Sequence, residues 1–203
     1  MKLLLTSGGV SNPSIHAALV DLLGKPIADS HALCIPTAEY GHPMCTPASA
    51  WRFIAGQTPA PMCDLGWKSL GVLELTALPS IGEERWAPWV READVLLVDG
   101  GDATYLCHWM RQSGLVDLLP SLPDTVWAGV SAGSMVMTRA SGRTSSAGSR
   151  PQVATARWGS WTSRSSRTWV TSSCRRTPWT RPRGGRPASA DRRTPSTTRP
   201  PSR

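Results

Sequence analysis

Gly129-Val130-Ser131-Ala132-Gly133 fits the pattern G-x-S-x-G, with an apolar run before it and a helix-compatible run after it. This suits a serine nucleophile. A sharp strand-to-helix turn lifts the hydroxyl clear of a sheet, and Gly129 and Gly133 permit the crowded backbone. The amide of Ala132, at the helix start, would point at the oxyanion of an acyl-transfer intermediate. The bland alternative is a glycine-rich turn with an ordinary serine. A second loop, Asp99-Gly100-Gly101-Asp102, ends another apolar run. Its glycine amides offer a second oxyanion donor, and Asp102 is a residue type that caps helices. Gly8-Gly9 follows the first apolar run, but neither G-x-G-x-x-G nor a P-loop lysine accompanies it, which argues against a phosphate-binding loop.

A serine nucleophile needs a base, usually a histidine held by a carboxylate. The four histidines (16, 31, 42 and 108) all precede Ser131. His16 and His108 fall within helical patterns and His31 beside a strand start, which favours structural or exposed roles. His42, in Tyr40-Gly41-His42-Pro43, lies in a loop that could approach the site. The chain shows a nucleophile and no downstream base.

The elements that must position these groups alternate in type. Strands are expected at 2–7, 32–36, 71–78, 95–98 and 125–128, and helices at 13–23, 47–56, 83–93, 103–119 and from 133. Asn12-Pro13 and Gly24 bound the first helix, Pro88 predicts a break in the third, and Gly114 interrupts the fourth. Apolar strands alternating with helices imply an open, doubly wound, mostly parallel α/β sheet covered on both faces. Its active site belongs outside the carboxyl ends of the strands, where all three glycine loops fall.

Charge divides the chain. Residues 1–140 carry 8 Lys/Arg against 13 Asp/Glu, whereas residues 141–203 carry 14 Arg, no Lys and one acid, Asp191. A uniformly basic nucleic-acid-binding domain is therefore excluded. The last 63 residues also hold 13 Ser, 10 Thr, 7 Pro and 4 Trp but no Leu, Ile, Phe or Met. Such a segment cannot bury enough surface to offset its ordering entropy, so disorder is expected from about residue 141. No apolar run is long enough for a bilayer span, and the start is too short for a signal-peptide core. Five scattered cysteines without a C-x-x-C pair or zinc-type spacing suggest a reduced, cytoplasmic protein without a disulfide framework, and no metal site is expected.

KLLLTSGG at the start, CIPTA after the first helix, VLLVDGGDATYL in the middle and GVSAGS at the elbow resemble the dipeptidase E family of serine peptidases over residues 1 to about 140. The resemblance implies a class I glutamine-amidotransferase-like fold and metal-free, cofactor-free cleavage of small peptides, often those with N-terminal Asp. By motif, it makes Ser131 the nucleophile and Gly101 and Ala132 the oxyanion donors, with Gly100, Gly129 and Gly133 supporting them. It also implies a histidine and an acidic partner after the elbow, where this chain departs from the pattern.

A reading frame displaced by one base would reconcile the two parts. In that frame, residues 158–169 are compatible with Leu-Gly-Leu-Val-Asp-Phe-Glu-Ile-Phe-Pro-His-Leu, which places a histidine where Thr168 stands. Residues 179–187 and 196–202 yield similarly family-like strings. The α/β domain is then truncated, with an out-of-frame tail, impaired activity, poor stability and exposed apolar surface. The rival is an evolved arm whose arginines and tryptophans bind polyanions by charge and stacking. Two further readings are another acyl hydrolase on the same elbow, such as an esterase or cyanophycinase-like peptidase, and a non-catalytic protein with a nucleic-acid-binding tail. Non-specific attraction to nucleic acid follows from the tail's charge under any of these readings. Oligomeric state is not legible.

Overall fold

The computed structural model describes residues 1–138 and 154–157. Six strands form one sheet: β1 (Lys2–Thr6), β2 (His31–Ile35), β3 (Ser69–Val72), β4 (Val95–Val98), β5 (Val126–Val130) and β6 (Ala154–Arg157). Their order across the sheet is β3-β2-β4-β5-β1-β6. All pairings are parallel except β1 with β6. This is the open, mostly parallel α/β sheet expected from the alternation of elements.

Burial on both faces explains the unbroken apolar strands. Every residue of β4 and β5 is buried. Side chains alternate between two cores, as the period-two pleat requires. Leu96, Val98 and Trp127 face one core, together with Trp86, Val90, Leu106 and Met110. Leu4, Cys34, Leu97 and Ala128 face the other, together with Ile15 and Leu19.

The helices follow local signals closely. Helix α1 (Pro13–Leu23) starts at Asn12, whose side chain accepts from the Ile15 N–H, and ends at Gly24 with φ 71°. Helix α2 spans Pro47–Ile54 and α3 spans Glu83–Glu92. Helix α4 (Ala103–Gln112) is capped by Asp102, and Gly114 at φ 80° separates it from α5 (Leu115–Leu118). The short α6 (Ala132–Met135) follows the elbow.

Three expectations need correction. Pro88 does not break α3: it lies on the exposed face, while Trp86, Ala87 and Val90 hold the helix to the core. Here packing outweighs the lost backbone bond. The third strand ends at Val72 rather than running to 78, because its pairing is set by β2, with His31 opposite Ser69 and Cys34 opposite Val72. Leu73, Leu75 and Leu78 are buried beyond the strand's end. Finally, four residues of the segment expected to lack regular structure form β6 on the free edge of β1. Edge pairing is made by backbone groups and does not need the aliphatic side chains this segment lacks. The rest of the expected disordered tail, 141–153 and 158–203, lies outside the described residues.

Among the described residues, no helix is long and apolar enough to cross a membrane. Among the described residues, Cys34, Cys45 and Cys63 are free thiols.

Candidate active site

The three glycine loops gather at the carboxyl ends of β1, β4 and β5, because parallel neighbours end on the same side of the sheet. Ser131 stands directly after β5 with φ 49° and ψ −110°. It is the one non-glycine residue with positive φ among the described residues. Such a conformation costs on the order of 1–3 kcal/mol and persists only where the surroundings impose it. The surroundings do so here. The Ser131 N–H donates to Thr6 O (3.1 Å), and the Ser131 carbonyl accepts from Ser134 and Met135 N–H. Its side chain faces outward, since Ser131 is exposed between buried Val130 and Ala132.

Side chains absent from the motif pattern hold the elbow in place. Ser134 Oγ lies 2.8 Å from both the Thr6 and Gly129 carbonyls and accepts from the Thr6 N–H at 2.9 Å. Thr6 Oγ1 donates to Gly129 O and accepts from the Gly9 N–H. Beneath the turn, the fully buried Trp127 donates from Nε1 to Gly133 O at 2.8 Å. The sequence signal for these residues was only their place beside the glycines.

The elbow glycines are set by close approach. A Cβ at Gly129 would lie 2.5 Å from the Gly133 carbonyl, and one at Gly133 would lie 2.4 Å from Val98 O. Both neighbours are backbone, so neither can swing aside. Gly133→Ala should therefore lower stability by about 2–3 kcal/mol, the usual cost of forcing atoms into filled space. Urea unfolding measures this, and an unchanged midpoint would show that the turn is not packed as described.

The Asp99–Asp102 loop lies against the elbow. The Gly133 N–H donates to Asp99 O at 3.1 Å. A Cβ at Gly100 would lie 3.4 Å from Ser131 Cβ and 3.9 Å from its Oγ. Gly101 has φ 127°, and a Cβ there would lie 2.3 Å from Ala38 O, so the loop rests on the 3₁₀ turn Thr37–Gly41. The Asp102 N–H fastens the same contact by donating to Ala38 O. Among the described residues, the N–H groups of Gly101 and Ala132 have no acceptor, whereas that of Gly100 is taken by Asp99 Oδ1 at 2.7 Å.

Asp99 has an unusual carboxyl. Burial pushes it up to about 7, against the pull of the Gly100 N–H, and the negative charge of Glu39 pushes the same way as burial. With Glu39, Ser49, Arg52 and Thr58 it lines a cavity of about 280 Å³ beside the elbow. Sequence reading saw Asp99 only as a strand-ending turn residue, because the burial that shifts it comes from distant segments.

The histidines are dispersed. His16 is exposed on α1. His31 Nδ1 lies 2.6 Å from Ser69 Oγ at the far edge of the sheet. His42 Nδ1 accepts from the Met44 N–H, and His108 packs edge-on against Trp109. Ser131 Oγ makes no hydrogen bond among the described residues, so none of the four is brought to it. No group of three His, Cys, Asp or Glu side chains among the described residues is placed to hold a metal ion.

Two solved structures are similar to this chain in fold. One is a crystal structure of a protein described as a peptidase E from Listeria monocytogenes EGD-e, 18% identical, with a TM-score of 0.46, covering 68% of this chain and 61% of that one. The other is a peptidase from an acI-B1 actinobacterium, 22% identical, with a TM-score of 0.49, covering 68% of this chain and 56% of that one. The chain thus spans less than two thirds of the length of either protein. No curated protein matches it. The family comparison covers most of the sequence and runs past residue 140, where the composition changes: residues 3–161 match the family model of peptidase family S51, and the chain belongs to that family, the dipeptidase E family that its elbow and glycine loop resemble.

Proposed function

We propose that the site is built for serine-type acyl transfer on small peptides. The observation that carries this reading is the backbone of Ser131, an exposed hydroxyl on a strained turn beside two N–H groups that have no acceptor among the described residues. In the reaction, Ser131 Oγ bonds to the scissile carbonyl carbon and its proton passes to a base. The carbonyl oxygen becomes an oxyanion between the Gly101 and Ala132 amides. The C–N bond then breaks, the amine leaves with the proton, and water hydrolyses the acyl-enzyme ester. Family membership supports a peptidase, and the resemblance extends this to short peptides with N-terminal Asp, handled in the cytoplasm without metal or cofactor.

Ser131 lacks a proton acceptor among the described residues, so we infer that this chain turns over slowly or not at all. A reading-frame displacement in the tail accounts for the missing histidine and acid. The switch is placed near residue 140, where the composition changes. The coding DNA around residues 135–145 decides: an open frame one base away must continue the family pattern. The arginine-rich tail lends a non-specific attraction to nucleic acid, separate from the peptidase reading.

A fluorophosphonate probe tests the nucleophile. In the chain continued in the displaced frame, which supplies the base, labelling should map to Ser131 by peptide mass spectrometry and vanish in Ser131→Ala. Labelling elsewhere, or none, would overturn the proposal.

A further inference from the structure

Two buried thiols meet where the segment between α2 and β3 packs over the sheet. Cys34 lies in β2 and is fully buried, and Cys63 lies in that segment, 8% exposed. Both are free, and both belong to the core that also holds Leu4, Val10 and Met62. Their side chains share a hydrogen bond. The two sulfurs sit on unlike supports. β2 is paired on both sides, with β3 and β4, so Cys34 is held rigidly. Residues 55–68 contain no helix or strand. Among the ties of this segment, the Pro61 carbonyl accepts from the Val10 N–H at 2.9 Å and the Met62 carbonyl from Trp67 Nε1 at 2.8 Å. A Cβ at Gly9 would lie 2.8 Å from Pro61 O, and the Gly9 N–H donates to Thr6 Oγ1, the hydroxyl that holds Gly129. Through Pro61 and Gly9 the segment reaches the residue that braces the elbow.

We propose that Cys34 and Cys63 form an oxidation site, which hydrogen peroxide converts to a disulfide that clamps residues 55–68 to β2. Cys63 reacts first, because it is the more accessible thiol and its segment is the part that can open. Its sulfur bonds to one peroxide oxygen, the O–O bond breaks, and the thiol proton leaves with the other oxygen as water. The Cys34 sulfur then attacks the sulfenic sulfur, the S–O bond breaks, and the hydroxide takes the Cys34 proton and leaves as a second water. Two thiols give up two electrons, and the peroxide is reduced to two waters. The first step is slow: the hydrogen bond to Cys34, and burial after it, push the Cys63 thiol well above its ordinary range, so little thiolate is present. The second step is fast, because the partner thiol is already in contact. The sulfenic acid is therefore captured before further oxidation. Bond formation needs the sulfurs to close to about 2.05 Å, a movement the irregular segment can make while β2 stays in register.

Peptide mass spectrometry tests this on the full, unsubstituted chain. Hydrogen peroxide is added until Cys45, the half-buried reference thiol, is consumed. The thiols that remain are blocked with N-ethylmaleimide in denaturant. Digestion without reduction, after Glu39 and after Arg52, leaves Cys34, Cys45 and Cys63 on separate peptides. The peptides of Cys34 and Cys63 should be linked, two hydrogens lighter than their sum, and should part on treatment with dithiothreitol. Maleimide on both residues overturns the proposal, as does sulfinic acid at either or a link from either to another cysteine. The clamp has its own readout. Exchange of the Val10 N–H, which is freed when the segment opens, should slow at least about tenfold in the linked chain. In Cys63→Ser, peroxide should leave that rate unchanged. Unchanged exchange in the linked chain, or equal slowing in Cys63→Ser, overturns the clamp.

Discussion

Continuing the chain in the neighbouring reading frame, so that a histidine and a carboxylate follow Ser131, should raise dipeptide hydrolysis by at least about 10³-fold over the chain described here. The reasoning is one of proton transfer. The strained turn is already in place, and among the described residues the amides of Gly101 and Ala132 have no acceptor. Oxyanion binding and positioning alone give a small residual rate in serine hydrolases. The neutral hydroxyl is a poor nucleophile, and none of the four histidines is brought to it. A base within hydrogen-bond reach of Oγ is the missing part. Asp-containing dipeptides assayed with both chains, each alongside its Ser131→Ala variant, measure the gain. Equal rates in the two chains would show that the present chain carries its base elsewhere. A gain that survives Ser131→Ala would remove Ser131 from the reaction.

The second large effect concerns Asp99 and the dependence of stability on pH. Its carboxyl stands at about 7 in the folded protein, well above the ordinary value, with burial as the main cause and Glu39 as the accomplice. The unfolded chain gives up this proton near pH 4, so between about pH 4 and 7 the folded state binds more protons than the unfolded one. Stability from this group is thus highest in acid and falls as pH rises towards 7, the reverse of a salt-bridged aspartate. Asp99→Asn keeps an oxygen for the Gly100 N–H and removes the buried charge. The variant should match the parent near pH 4 and exceed it by about 2–4 kcal/mol at pH 8. Urea unfolding of both proteins at several pH values checks this. A difference that does not change with pH would mean that Asp99 ionises normally.

Much of the scaffold was legible because it rests on short-range rules. The apolar run at 95–98 is a strand in the structure over the same residues. Asn12, Pro13 and Gly24 bound α1 as their chemistry requires, and Gly114 separates α4 from α5. The errors came where a distant partner outweighed a local preference. Pro88 sits inside a continuous helix because its neighbours are anchored in the core, and the third strand stops early because β2 dictates its register. β6 pairs through backbone groups, to which side-chain composition is nearly blind.

The candidate site divides the same way. Residue type and spacing alone determined the serine between glycines, the strand before it and the helix after it, since a turn that tight tolerates few alternatives. They also revealed the abrupt change in charge and the lack of a histidine beyond residue 131, which are matters of composition. Only the tertiary structure decided that the loop at 99–102 lies against Ser131 and that Thr6, Ser134 and Trp127 hold the turn from three sides. It alone decided that Asp99 shares a cavity with Glu39. These groups lie far apart in the chain, and their chemistry depends on burial and on one another's charge, which exist only once the sheet has brought the strand ends together.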